Sequence, residues 1–545
     1  MIKINDDLKI HFPLKLKPRK QQLEAFNFLK NSINTGMKFM ITSVPTGVGK
    51  SYLALITMNW YRNFLNEDAK FDILTNSKIL QKQYINDNPF IKNYEGRSNY
   101  VCDPLDTNCS AGYEICKSLG PKCGKECPYE LAKSNWKISD VGLTNFHLFN
   151  TLAIYATNIL TARESNVLII DEAHEMEPVF TSYISVSLHA KQLKKYGFNL
   201  KSIEDYDKKI TNTKSINSFV SYIKNTFLKD VEEQRDFLLN KIESNKKNKK
   251  LVKEYSKYSE FCNSQILKLK FLIEEYDKDK DNWTLDISKN KNDKMYSGII
   301  LEAKPVFGNK YMNEKIYKKY DHVIFMSATL EKEIFSYING IDIKKTTYFN
   351  TPSPFNVNNR KIFYIKSGKM SYTAKKDTLK IQINYIKKIL KKYNNKKGII
   401  HTSNYEISNY IKDNIIDKRF IFHDSETRDI ALEKHINSDY PSIIVSPSMG
   451  TGVDLIGDRS RFQIICKIPY PYLGSNNIKK RKEQYPAWYN YQTVSNLIQS
   501  CGRSVRSFDD YADTFILDSN FSDLLKYSGN YFPRWFTSSI ISLKI

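Results

Sequence analysis

Short runs of apolar residues, each closed by small or charged ones, recur along the chain and predict strands buried on both faces. Phe39-Met40-Ile41, Phe71-Asp72-Ile73-Leu74-Thr75, Asn166-Val167-Leu168-Ile169-Ile170 and His322-Val323-Ile324-Phe325-Met326 are four such runs. Between them the period lengthens: Leu23, Phe26 and Leu29 after Pro18 mark one helix, Tyr52 to Ile56 opens a second, and Leu80 to Gln83 a third. From about 181 to 300 the strand pattern gives way to helical stripes. Phe219, Tyr222, Ile223 and Phe227 form one, and Leu251, Tyr255, Tyr258, Cys262, Leu269 and Ile273 another. The Lys/Asn-rich stretch Ser244 to Lys250 separates them, which predicts a helical hairpin with a basic tip. After Thr351-Pro352-Ser353-Pro354-Phe355, which reads as a hinge, a second strand series follows at Lys361 to Ile365, Gly398 to His401, Phe420 to Phe422, Ile443 to Ser446, Phe462 to Lys467 and Thr514 to Leu517. The pattern is α/β twice over.

Chemistry sits at the strand ends. Ser43-Val44-Pro45-Thr46-Gly47-Val48-Gly49-Lys50-Ser51 joins a strand to a helix and reads as a phosphate-binding loop, with Val44 where the general form has a glycine. Gly47 and Gly49 let backbone N–H groups curl around a polyphosphate, Lys50 adds a mobile charge, and Ser51 offers a hydroxyl to Mg²⁺. Asp171-Glu172-Ala173-His174 ends the strand at Ile170. Asp171 is placed to anchor the metal, and Glu172 to orient or deprotonate water. Upstream, Arg19 and Gln22 precede the loop, and Gln22 has the groups to read an adenine edge. Ser327-Ala328-Thr329-Leu330 closes another strand and offers small hydroxyls that can link hydrolysis to a nucleic-acid face. In the second series, Gly450-Thr451-Gly452-Val453-Asp454 lies beyond a strand, and Gln499-Ser500-Cys501-Gly502-Arg503-Ser504-Val505-Arg506 on a helix. Arg503 and Arg506, three apart, can reach a γ-phosphate across a cleft. No second phosphate loop is visible, so these residues are expected to complete the first unit's site.

Composition adds a partner. The 545 residues suffice for about three or four domains, and 83 Lys plus Arg against 59 Asp plus Glu leave a net charge of +24. Such an excess points to a polyanion such as nucleic acid. The N-terminus lacks the apolar core of a signal peptide, and no run approaches the roughly 20 apolar residues of a membrane span, so a soluble cytoplasmic protein is expected. Five of the 8 cysteines fall between Cys102 and Cys127. Thiols gathered in this way suit either an iron-sulfur cube or tetrahedral zinc, and spacing does not separate the two. Cys109 is read as the spare, leaving Cys102, Cys116, Cys123 and Cys127 as ligands.

In order, these elements resemble the XPD/DinG family of superfamily 2 helicases. SVPTGVGKS resembles motif I, DEAH motif II, SATL motif III, GTGVDL motif V and QSCGRSVR motif VI, while GRSNYVC and CPYE look like the edges of the family's iron-sulfur segment. The resemblance implies two RecA-like motor domains, the first interrupted by a small iron-sulfur insertion and a helical Arch. Motor 1 would take residues 1–95, 136–180 and 301–345, the iron-sulfur segment 96–135, the Arch 181–300, and motor 2 residues 346–545. It further implies that Thr46, Gly47, Val48, Gly49, Lys50 and Ser51 bind ATP, with Arg19 and Gln22 nearby. Asp171 would hold Mg²⁺ and Glu172 act as base, while Gln499, Arg503 and Arg506 sense the γ-phosphate and Asp454 lies at the motor interface. The cofactors implied are ATP, Mg²⁺ and a [4Fe-4S] cluster, with zinc as the alternative. The expected activity is ATP-driven 5′ to 3′ movement on single-stranded DNA by a monomeric motor, unwinding duplex junctions. Thr451 departs from the family, where an acidic residue often stands, and the cysteine spacing is tighter than in cellular relatives. RNA remodelling, translocation without unwinding, and an ATP-gated binding switch are the rival readings.

Overall fold

The computed structural model describes residues 18–45, 47–76, 78–120, 123, 126–196, 198, 215–289, 299–450, 453, 455, 457–502, 505 and 510–543. In chain order its strands begin with β1 (Phe39–Ser43), β2 (Phe71–Thr75) and β3 (Lys92–Asn93), then a small hairpin of β4 (Val101–Cys102) and β5 (Thr107–Asn108). β6 (Val141–Asn145) and β7 (Val167–Asp171) follow, then β8 (Val186–His189), β9 (Trp283–Lys289), β10 (Ile299–Pro305), β11 (His322–Ser327) and β12 (Thr346–Asn350). One seven-stranded sheet runs β12-β1-β11-β7-β2-β6-β3, every neighbouring pair parallel.

Burial explains the choice of strands. β1, β2 and β7 are buried at every position, as a parallel sheet covered on both faces requires. One face packs Leu23, Phe26, Leu53, Ile56 and Trp60 from the helices Lys20–Asn34 and Lys50–Phe64. The other packs Phe146, Phe149, Phe180 and Tyr317, and this core continues without a break into Phe219, Ile223, Phe227, Cys262 and Leu269 of the helical insertion.

That insertion differs from its sequence reading in two respects. Leu228–Ser244 and Lys249–Lys278 form the expected helical hairpin, with its turn inside the basic stretch. At its root, however, β8, β10 and β9 make an antiparallel sheet that the pattern did not announce. These strands alternate polar and apolar residues over a short length, and a long helical signal surrounds them. The buried stripe of the long helix also lies beside the expected one. Val252, Ser256, Ser259, Cys262, Ile266 and Leu269 face inward, whereas Leu251, Tyr255, Tyr258 and Ile273 are half-buried.

The cysteine segment is docked on the first sheet by a buried ion pair. Arg163 contacts Asp72 at 2.5 Å, donates to Phe71 O at 2.9 Å and Ser139 O at 3.0 Å, and so ties the helix Pro128–Ile138 to β2. Gly142 makes room for this arrangement, since a Cβ there would meet Trp136 Nε1 at 2.5 Å and Arg163 Nη2 at 2.6 Å.

The second unit contains β13 (Ile362–Ile365), β14 (Gly398–His401), β15 (Phe420–Phe422), β16 (Ile443–Ser446), β17 (Phe462–Ile465), β18 (Asp513–Ile516) and β19 (Ile540–Leu543). They form a second seven-stranded parallel sheet in the order β15-β16-β14-β17-β18-β13-β19. The two lobes share a dry interface in which Val306, Phe307, Ile334 and Ile338 meet Trp488, Tyr489 and Tyr491. Beside it Arg481 pairs with buried Glu177 and donates to Val306 O, and Asn477 donates to Thr284 Oγ1 and Pro305 O at 2.9 Å each. Among the described residues, no helix is long and apolar enough to cross a membrane.

Candidate nucleotide site between the lobes

β1 delivers the phosphate loop to the C-terminal edge of the first sheet, where open α/β folds place their ligands. Gly47 (φ 79°) and Gly49 (φ 93°) adopt left-handed backbone, which a side chain would oppose. Gly49 has a second reason to lack one: a Cβ would stand 2.5 Å from Gln22 Nε2. Val44, in the place of the usual glycine, is buried and donates its N–H to Ser327 O at 2.7 Å, so the loop's start is fastened to β11.

Arg19 and Gln22 support this loop from behind. The Arg19 guanidinium donates to Gly47 O, Gln22 Nε2 donates to Gly49 O at 3.3 Å, and Gln22 Oε1 accepts from Arg19 N at 2.8 Å. The amide expected to read an adenine edge is thus already engaged with the loop's backbone. Thr46 lies outside the described residues.

Lys50 is 9% exposed and its Nζ lies 3.2 Å from Glu172 Oε1. Asp171 ends β7 beside it, with Oδ1 accepting Glu172 N–H at 2.9 Å and Oδ2 accepting the Tyr84 hydroxyl at 3.2 Å. Burial pushes the Asp171 carboxyl up to about 6, Lys50 opposing and Glu172 adding to the shift. A divalent cation is the charge that such a buried carboxylate lacks, so Asp171 and Ser51 are the residues that would hold Mg²⁺, whose part would be to neutralise phosphate charge. Glu172 has φ 54°, a left-handed backbone unusual for its type and of the kind that gathers at functional sites. His174 Nδ1 meets Ser327 Oγ at 2.7 Å, which links the β7 turn to the end of β11.

The second lobe reaches this edge through Gln499. Its Nε2 donates to Thr329 Oγ1 at 3.1 Å, Thr329 Oγ1 meets Ser495 Oγ at 2.9 Å, and Tyr491 donates to Thr329 O at 2.7 Å. Lys50, Asp171 and Glu172 are therefore brought together, and Gln499 is joined to the same edge through Thr329. Asp454, Arg503 and Arg506 lie outside the described residues. Sequence reading missed Tyr84. It carried no motif signal, because its role arises only once β2 and β7 lie side by side.

The five clustered thiols approach one another. Cys102 Sγ is 3.7 Å from Cys123 Sγ, and Cys109 pairs with Cys127 and stands 3.4 Å from Val101 O. Cys116 lies near enough to Cys102 and Cys123 for its charge to be felt at both. Cys109, read as the spare, is buried among the rest. Burial raises the Cys109 thiol to about 11 and the Cys123 thiol to about 12, so a metal would have to displace their protons. The donor set fits a thiolate-held group in kind, but the sulfurs meet in pairs. Among the described residues, no three or more His, Cys, Asp or Glu are arranged around a single ion.

Comparison with known proteins bears on the whole arrangement. A family model described as the helicase C-terminal domain matches residues 386–539, and one described as the type III restriction enzyme res subunit matches residues 15–200. A solved structure titled XPD helicase superposes with a TM-score of 0.63 at 14% identity, covering 97% of this chain and all (100%) of that one. Xpd4 of S. tokodaii gives a TM-score of 0.58 at 14% identity over 96% and 100% of the two chains. The chain thus has the fold of the XPD helicase structures, with a helicase C-terminal segment in its second lobe. No curated protein matches the chain. The two parallel-sheet lobes are the fold that those structures share, and the phosphate loop falls within the first matched segment, as Gln499 does within the second.

Proposed function

We propose that this protein is a helicase that moves 5′ to 3′ along single-stranded DNA as a monomer and couples ATP hydrolysis between its lobes to the opening of duplex junctions. The observation that carries this reading is the cleft edge itself. Lys50, Asp171 and Glu172 from the first lobe meet there, and Gln499 of the second is hydrogen-bonded to Thr329 of the first. ATP held by the loop Thr46 to Ser51 and Mg²⁺ held by Ser51 and Asp171 would place the γ-phosphate where Glu172 can orient water. Arg503 and Arg506 would stabilise the charge from the second lobe, with Asp454 at the interface. Closing and reopening of the cleft with each turnover then becomes a step along the strand. The net charge of +24 agrees with a nucleic-acid track.

Strand displacement on duplexes with a 5′ or a 3′ overhang tests this reading. Displacement that requires ATP and a 5′ single strand is expected, with none from Lys50→Ala; displacement only from 3′ overhangs would overturn the polarity, and ATPase stimulated by RNA but not DNA the substrate. A [4Fe-4S] cluster on Cys102, Cys116, Cys123 and Cys127 is part of the same proposal, with Cys109 close enough to Cys127 to compete for the fourth place. Its role would be to pin a segment with little core of its own. Anaerobically purified protein should be brown and contain acid-labile sulfide. Colourless protein carrying zinc would replace the cluster by a zinc site.

A further inference from the structure

We infer that Tyr84 is a positioning residue for the metal-binding carboxylate, tying Asp171 to the helix that follows β2; this rests on the motor reading above. Lys78–Asp87 is that helix, and β2 lies directly beside β7, with Leu74 opposite Ile170. Gln81 and Tyr84, three apart and so on one face, both point inward and are buried. Gln81 Nε2 donates to Asn93 Oδ1 at 3.0 Å, which fixes the helix against the sheet edge, and Tyr84 donates its hydroxyl to Asp171 Oδ2 at 3.2 Å.

Both oxygens of Asp171 are therefore held, Oδ1 by the backbone N–H of Glu172 and Oδ2 by a phenol carried on another element. Two donors from different directions fix the plane of the carboxylate as well as its position. A carboxylate only 3% exposed cannot recruit bulk water to replace a lost donor. Without the phenol it is free to turn toward Lys50.

The test is the Mg²⁺ dependence of ATP hydrolysis by the full chain, with and without a single-stranded oligonucleotide, for wild type, Tyr84→Phe and Tyr84→Leu. Binding of a fluorescent ATP analogue over the same Mg²⁺ range gives a readout that needs no turnover. Tyr84→Phe removes only the hydroxyl. Both variants should need roughly three- to tenfold more Mg²⁺ for half-maximal rate or binding, while the rate at saturating Mg²⁺ stays within about twofold. An unchanged requirement in Tyr84→Phe overturns the inference, as does a shift in Tyr84→Leu alone, which would mark the ring as packing only. Wild type without any strand-stimulated hydrolysis sinks the motor reading instead, and the binding titration still decides the role of Tyr84.

Discussion

The two lobes are the same sheet put to different uses. Numbered by their own order in the chain, the strands of each lobe stand in the sequence seven, one, six, five, two, four, three, so β1 matches β13, β7 matches β17 and β11 matches β18. What differs is the loop at the end of the first strand. After β1 the glycine loop leads into the helix that starts at Lys50, whose Nζ meets Glu172 beside Asp171. After β13 the corresponding turn is closed by the lobe's own anion. Asp518, wholly buried after β18, accepts from Met370 N at 3.1 Å, Ile468 N at 2.9 Å and Asn520 N at 3.0 Å. One lobe keeps its cradle for a ligand and the other fills it with a side chain. Equal architecture thus carries unequal chemistry, because function resides in the loops.

The largest expected effect sets the two first-strand loops against each other. Lys50→Ala should lower strand-stimulated phosphate release by at least about a hundredfold, whereas Lys369→Ala, in the matching loop of the second lobe, should leave it unchanged, since Lys369 pairs with Asp523 at the surface. Loss of activity in both would mean that the second loop also touches nucleotide. Next, Asp518→Ala should destabilise the second lobe by about 3 kcal/mol in denaturant unfolding, because three backbone N–H groups and the Asn520 side-chain amide lose a buried anion. A variant as stable as wild type would mean that the filled cradle is no structural counterpart of the open one.

The seam between the lobes comes third. Arg481→Met leaves Glu177 buried without its cation, at a cost of about 3 kcal/mol, and adding Glu177→Leu should recover most of that loss. Thermal melts of the single and double variants measure it, and additive losses would contradict a shared pair. The smallest effect is a pH slope confined to the second lobe. Burial lowers the His435 pKa to about 4 from 6.5, and the ring is held neutral between Ser442 Oγ and Arg459 O. Its contribution is present above pH 6.5 and is lost as pH falls toward about 4, where the folded state also takes up the proton. His435→Gln should flatten the stability profile over that interval.

Much of this was legible in the sequence. Runs such as Val167 to Asp171 and Ile443 to Ser446 read as strands because a parallel sheet buried on both faces needs uninterrupted apolar side chains. Lys50, Asp171 and Glu172 were legible because phosphate and metal chemistry restrict residue type and spacing. The strands that escaped had weaker patterns. β6 contains Gly142, which the Arg163 and Trp136 side chains require; β12 is Thr-Thr-Tyr-Phe-Asn; β8 to β10 alternate at the root of a helical hairpin. Within the site, the inward role of Gln22 and the grip of Tyr84 on Asp171 depend on which elements become neighbours, and no local pattern records that.

The central claim is that one triphosphate is shared by both lobes. Its most direct measurement is ATP binding and ATP hydrolysis, side by side, for Arg503→Ala with a single-stranded oligonucleotide present. Binding should stay within about threefold of wild type while hydrolysis falls by about a hundredfold or more. Hydrolysis at the wild-type rate would contradict the claim, because the first lobe would then be working alone.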